Sequence, residues 1–269
     1  MLFDAPAYGI LYKVWGILFP VFGGSMKARI IMVASGKGGT GKSTTAVYTG
    51  AQLAAAGSRV LLIELDSGLR SVDIIAGVYG KTVYDIEDLM AGRCAAEKAV
   101  VQSPLYPGLS VISAPYSGGQ IRPAALQRLT EGFAGHFDFI LLDTAAGMGD
   151  AFCAAAAVSE LALLVLTPDP VALRDGRIVA DWLYAHSRVT PRLVLNRVDP
   201  ARQHKSAVPD LDECIDTVAA QLIAVLPESA AVQRAAAAGT ALPENEPAFR
   251  AYHNLAARLR GHHIPLFIR

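Results

Sequence analysis

The chain has 269 residues, 52% hydrophobic and 18% charged, enough to bury one large core, and α/β domains of this length are commonly single units. Lysine plus arginine equal aspartate plus glutamate at 24 each, so no global field draws the chain to DNA or anionic lipid, which counts against a dedicated nucleic-acid binder. The cysteines Cys94, Cys153 and Cys214 form no CxxC pair; they offer neither a zinc site nor a disulfide framework and read as buried thiols suited to a reducing cytosol.

Residues 1–25 stand apart from the rest of the chain. "AYGILYKVWGILFPVFGG" is apolar nearly all round, with Lys13 its only charge, and Tyr8, Tyr12, Trp15, Phe19 and Phe22 line one helix face. Asp4, with no basic residue before the segment, argues against a secretory signal. About 18 residues interrupted by Gly16 and Pro20 fall short of the roughly 20 that a membrane span needs. Met26 opens a natural first strand, so the expected domain is 26–269. Residues 1–25 then read as a wrongly assigned start, with an interfacial membrane helix as the alternative.

From Arg29 onward, apolar runs at 29–34, 59–64, 109–113, 137–143, 161–167, 192–196 and 221–226 alternate with helical patterns. The helical stretches are 42–56, 72–77, 84–100, 123–134, 171–186, 211–219, 229–238 and 246–260, and Cys153 lies in a further alanine-rich one. Continuous rather than alternating runs mean strands covered on both faces. The pattern predicts an α/β fold: a doubly wound, mostly parallel sheet of about seven strands with helices on both faces and ligands at the carboxyl ends of the strands. Segments 199–210 and 239–247 read as exposed loops.

Between the first strand and first helix, Gly36-Lys37-Gly38-Gly39-Thr40-Gly41-Lys42-Ser43 matches GxxxxGK[ST], and that context makes the motif specific for a P-loop NTPase. The loop from Gly38 and Gly39 through Thr40 and Gly41 turns its backbone N–H groups toward phosphates, and the helix adds its positive end. Lys42 reaches the β- and γ-phosphates, the Ser43 hydroxyl coordinates Mg²⁺, and Thr44 can hydrogen-bond the α-phosphate.

Lys37 is one lysine more than phosphate binding needs, since from the loop it would compete with Lys42. "KGGTGKST" resembles the deviant Walker A loop of the MinD/ParA family of ATPases, whose first lysine crosses a dimer interface to the partner's nucleotide. The resemblance implies ATP and Mg²⁺ as ligands, a catalytic Lys37 acting in trans like an arginine finger, and an ATP-dependent homodimer released by hydrolysis.

After the second strand, "ELDSGLRSVDIIAGV" presents Asp66, a carboxylate at a strand end able to orient attacking water; a helix N-cap is the local alternative. The stretch is similar to the MinD pattern DxDxGLRNLD, with Glu64 in place of the usual aspartate. "FDFILLDTAAGMGD" ends an apolar strand at Asp143, a Walker-B-type carboxylate for Mg²⁺, which in the family usually acts through water. It resembles the MinD segment DSPAG, with Ala145 in place of proline, and Gly147 gives the freedom a switch loop needs.

Further similarity to MinD proteins runs through 82–100, 108–115, 167–183, 193–200 and 248–266. It implies that Asn196 binds the adenine edge, that Pro227 packs the base, and that Asp175 lies on a partner-reading helix. By the same resemblance, the function is division-site placement from the cytoplasm or the inner membrane face, with MinC-like and MinE-like or other division regulators as partners. In MinD proteins a segment like "GHHIPL" usually leads into a linker and an amphipathic membrane helix; here it leads into "FIR", so either membrane cycling is lost or residues 1–25 do the anchoring. The alternatives are a ParA- or FlhG-like positioning ATPase and, more remotely, an iron–sulfur ATPase of the nitrogenase iron-protein type, which would need converging cysteines.

Overall fold

A computed structural model describes residues 27–68, 70–116, 118, 121–199 and 209–266. The expectations for residues 1–25 and for most of the 199–210 loop lie outside the described residues. Strands β1 (Arg29–Ala34), β2 (Val60–Glu64), β3 (Val101–Gln102), β4 (Leu109–Ile112), β5 (Phe139–Asp143), β6 (Leu161–Leu166), β7 (Thr190–Val198) and β8 (Gln221–Pro227) form one sheet in the order β3-β4-β2-β5-β1-β6-β7-β8. Every pairing is parallel except β3 on β4.

The helices are α1 (Lys42–Ala55), α2 (Ser71–Ile75), α3 (Ile86–Met90), α4 (Ala96–Ala99), α5 (Pro123–Phe133), α6 (Asp150–Val158), α7 (Pro170–His186), α8 (Leu211–Val218), α9 (Ala230–Ala238) and α10 (Pro247–Leu259). The seven expected strands are all present, and the two-residue edge strand β3 makes eight. The helix expected over 84–100 is instead two short ones. Asp85 starts the first by accepting from the Glu87 and Asp88 N–H groups in a capping box. Gly92, at φ 69°, ends it in the left-handed turn that a residue without Cβ allows.

Alternation along β1 splits the core between the two faces. Ile31 and Val33 pack with Val47, Leu53 and Tyr252 of α1 and α10, while Met32 and Ala34 pack with Leu126, Phe152 and Val179 of α5, α6 and α7. All of these side chains are at most 2% exposed, and burying each large aliphatic or aromatic one among them contributes about 1.5–3 kcal/mol. This double covering explains why the strands read as unbroken apolar runs. β1 lies between β5 and β6, so the chain departs to either side of it, and a crevice opens at its carboxyl end.

Candidate nucleotide and metal site

The loop between β1 and α1 occupies that crevice. Gly39 and Gly41 take φ of 77° and 91°, which L side chains rarely adopt. A Cβ on Gly41 would also lie 2.3 Å from Asn196 Nδ2, and one on Gly36 would lie 2.7 Å from the Asp175 backbone oxygen. The motif glycines therefore let α7 and the end of β7 close against the loop, as well as letting the loop turn.

Other bonds hold the loop in place. The Ser35 hydroxyl donates to the Lys37 carbonyl at 2.6 Å, and the Gly147 N–H donates to the Ser35 carbonyl at 3.0 Å. Asn196 Nδ2 donates to the Thr40 carbonyl at 2.8 Å, so this buried amide braces the loop across 156 residues of sequence. Pro227 ends β8 opposite Val198, two residues beyond Asn196 on the neighbouring strand. Asn196 and Pro227 thus share one end of the sheet with the phosphate loop.

The two lysines differ in setting. Lys42, at the start of α1, is buried at 7% exposure. The Lys37 side chain is 45% exposed, its Nζ 3.7 Å from Asp169 Oδ1 at the start of α7. Gly38 and Gly39 are exposed, while Ser43 and Thr44 flank the site beside Lys42, Thr44 half-buried.

Strand register brings the acidic groups together. Val33, Asp143 and Glu64 are direct neighbours across β1, β5 and β2. Asp143 is fully buried, and neither carboxylate oxygen closes a hydrogen bond of normal geometry. Burial pushes its carboxyl up to about 7, with the Ser43 hydroxyl and Lys42 charge pulling the other way and Asp66 adding to the rise. An orphaned buried carboxylate beside a hydroxyl and a lysine is the donor set a hard divalent cation with phosphate ligands suits, so Asp143 and Ser43 fit Mg²⁺. Asp66 is half-buried, its carboxyl raised by burial and lowered by the Lys42 charge. The cap of α2 is Arg70 in the left-handed region, so Asp66 is not the N-cap of that helix and stays within the field of Lys42.

A second acidic network centres on Glu64, which the sequence marked only as a substitution for the usual aspartate, without its partners. Glu64, 1% exposed, accepts from the Val72 N–H at 3.1 Å and the Ala114 N–H at 3.4 Å. Burial pushes its carboxyl up to about 8, helped by the charges of Asp143 and Asp73. Arg70 Nε lies 2.9 Å from Asp73 Oδ2, both side chains being buried, and its Nη2 donates to Thr82 Oγ1 at 2.7 Å. Its guanidinium stacks 4.0 Å from the Tyr116 ring centroid, and the Ser113 hydroxyl donates to Asp73. The segment after Asp66 is thereby pinned to the loop after β4. The i,i+3 spacing of Arg70 and Asp73 was a local signal for part of this; Ser113, 40 residues on, had none.

The family whose model matches is the CobQ/CobB/MinD/ParA nucleotide binding domain, over residues 31–242. The septum site-determining protein MinD of Synechocystis sp. is 34% identical over 243 residues, 88% of this chain and 91% of that protein. The MinD of Thermotoga maritima is 31% identical, over 88% of this chain and 90% of its own length. Among solved structures, the MinC:MinD cell division protein complex of Aquifex aeolicus has a TM-score of 0.84 at 31% identity, covering 90% of this chain and 99% of that one. The phosphate loop, the buried carboxylate facing it and these similarities agree: the chain belongs to the CobQ/CobB/MinD/ParA nucleotide-binding family, on its MinD branch.

Proposed function

We propose that the chain is a MinD-type switch that binds ATP with Mg²⁺, dimerises on it, hydrolyses it, and through that cycle helps to place the division site. The observation that carries this reading is the division of labour between the lysines. Lys42 is buried at the head of α1 where phosphates bind, while Lys37 stands half-exposed on the same loop, held by a 3.7 Å ion pair with Asp169 that a partner's phosphates can replace. A surface pair of that kind is worth about 0–1 kcal/mol, so releasing Lys37 costs little.

In this reading the backbone of Gly38 to Gly41 and Lys42 hold the phosphates, and Thr44 contacts the α-phosphate. Asn196 and Pro227 hold the base, and Asp66 orients the attacking water. Ser43 and Asp143 hold Mg²⁺, which when bound neutralises charge on the β- and γ-phosphates. Lys37 of each subunit meets charge developing on the other's nucleotide. The relatives named above support a place in division-site selection, and the Aquifex complex supports a MinC-like partner. A MinE-like activator and peripheral attachment at the inner membrane face belong to the same proposal. Among the described residues no helix is long and apolar enough to cross a membrane.

Phosphate release from the full chain, with Asp66→Ala and Lys37→Ala beside it, tests the reading. Mg²⁺-dependent ATP turnover that falls at least tenfold in both variants while each still binds ADP is expected. Turnover unchanged in both variants would overturn the assigned roles.

A further inference from the structure

A cavity of about 590 Å³ lies away from the phosphate loop, between α1, the 105–107 loop and the segment leading into α10. Tyr48, Gln52, Tyr106, Leu242, Phe249 and Tyr252 line it. Its size falls in the range of small-molecule sites, roughly 300–1,000 Å³, with apolar walls and few polar groups. The three tyrosines form a cage. Tyr48 and Tyr106 meet edge to face with centroids 6.4 Å apart, and Tyr48 and Tyr252 are 5.3 Å apart.

The polar chemistry narrows the occupant. The Tyr48 and Tyr106 hydroxyls are buried, and neither completes a hydrogen bond of normal geometry. Buried polar groups left this way carry a cost that a ligand atom removes. Burial pushes the Tyr106 phenol up to about 12, against the pull of the Leu242 backbone and the Tyr48 hydroxyl, and pushes that of Tyr48 further, so both stay protonated; the Tyr48 hydroxyl faces the Tyr106 oxygen, and the Tyr106 proton is the donor left for a ligand. Glu244, on the exposed stretch at the mouth, disfavours anions.

The walls are also parts of the nucleotide machinery. α1 carries Lys42 and Ser43 at one end and Tyr48 and Gln52 further along. The Ser103 hydroxyl donates to the Ala76 carbonyl at 2.7 Å and accepts from the Leu105 and Tyr106 N–H groups, which ties the 105–107 wall to the segment after Arg70. A Cβ on Gly77 would meet Leu105 at 2.8 Å, and one on Gly239 would meet the Ile74 carbonyl at 2.7 Å.

From this geometry we infer that the cavity is an effector site for a small uncharged amphiphile with an apolar, planar body and an acceptor oxygen, coupled to the nucleotide site through α1 and residues 70–79. The coupling part rests on the proposed nucleotide binding; the binding part does not.

Nile red, neutral and planar with a carbonyl oxygen, is the probe. It is titrated by fluorescence into the full chain and into Ala241→Trp and Tyr106→Phe variants. Ala241 is exposed at the mouth, so the indole blocks entry without disturbing the core, and melting curves check that both variants fold. Saturable one-site binding is expected, weakened at least tenfold by Ala241→Trp and about twofold to tenfold by Tyr106→Phe, the range one hydrogen bond supplies. No saturable binding, or equal binding to all three folded proteins, overturns the site. With saturating dye, ADP affinity is expected to change at least twofold, and dye affinity by the same factor with ADP. Dye binding with unchanged ADP affinity overturns the coupling alone, and dye binding without any ADP binding faults the nucleotide reading instead.

Discussion

At the scale of single residues, the Asn196 amide braces the phosphate loop by committing Nδ2 to the Thr40 carbonyl. The proposed reading gives its Oδ1 a second task, accepting from the amino group of adenine. Asn196→Ala is therefore expected to weaken ADP binding about tenfold and to lower the preference for ADP over GDP, both read by calorimetric titration. Equal losses for the two nucleotides would leave the amide as a loop brace and no reader of the base. Gly41→Ala strikes the same contact from the other side. It forces an L residue to φ 91° and sets a methyl 2.3 Å from Asn196 Nδ2, so ADP affinity should fall more than tenfold. The glycines and lysines of the loop were legible in the sequence because their spacing is local. The Asn196 brace was not, because its partner is 156 residues away and only the closing of β7 against β1's loop brings them together.

Secondary-structure elements are held to one another at points a single substitution exposes. Where α7 crosses β6, a Cβ on Gly176 would lie 2.2 Å from Leu166 Cδ1, so Gly176→Ala should destabilise the chain by about 1–3 kcal/mol in denaturant titration. Arg70→Ala leaves the Asp73 carboxylate buried without its cation, at a cost of about 3–5 kcal/mol. A fall in Tm of about 10 °C is expected, and Arg70→Lys, which keeps the charge but loses the fork, should fall between. β2 and β5 are joined at their entry by Asp138, which accepts from the Arg59 backbone N–H at 2.7 Å and from Arg59 Nη2 at 2.8 Å. Burial raises its carboxyl, but the Arg59 bonds outweigh burial and hold it below the ordinary carboxylate value. The depressed folded-state value means that this stabilisation is present above pH about 4, the unfolded-state value, and is lost as pH falls below it. Asp138→Asn should accordingly flatten the acid limb of a Tm-against-pH curve. At this scale the parallel strands could be read directly, since double covering makes each an apolar run. The two-residue β3 is too short to show a period, and the 84–100 helix broke because the Asp85 capping box and Gly92 mark ends inside an otherwise helical pattern.

For the whole molecule, the central claim is that ATP joins two copies of this chain through a lysine which the single chain leaves half-exposed. The fold agrees with that claim in where it places charge. Lys42 and Asp143 are enclosed at the carboxyl ends of the strands with Ser43 half-buried beside them, while Lys37, Gly38 and Gly39 face outward on the same loop. Sequence pattern accounted for the enclosed half, and family resemblance supplied the meaning of the outward half, since no local pattern says what an exposed lysine will meet. Sedimentation velocity of the full chain with Mg-ATP, with Mg-ADP, and as Lys37→Ala with Mg-ATP is the direct test. The account predicts a dimer for the wild type with ATP, a monomer with ADP, and a Lys37→Ala protein that binds ATP yet stays monomeric or hydrolyses it at least tenfold more slowly. A wild type that remains monomeric with bound ATP, or a Lys37→Ala variant that dimerises and turns over like the wild type, would contradict it.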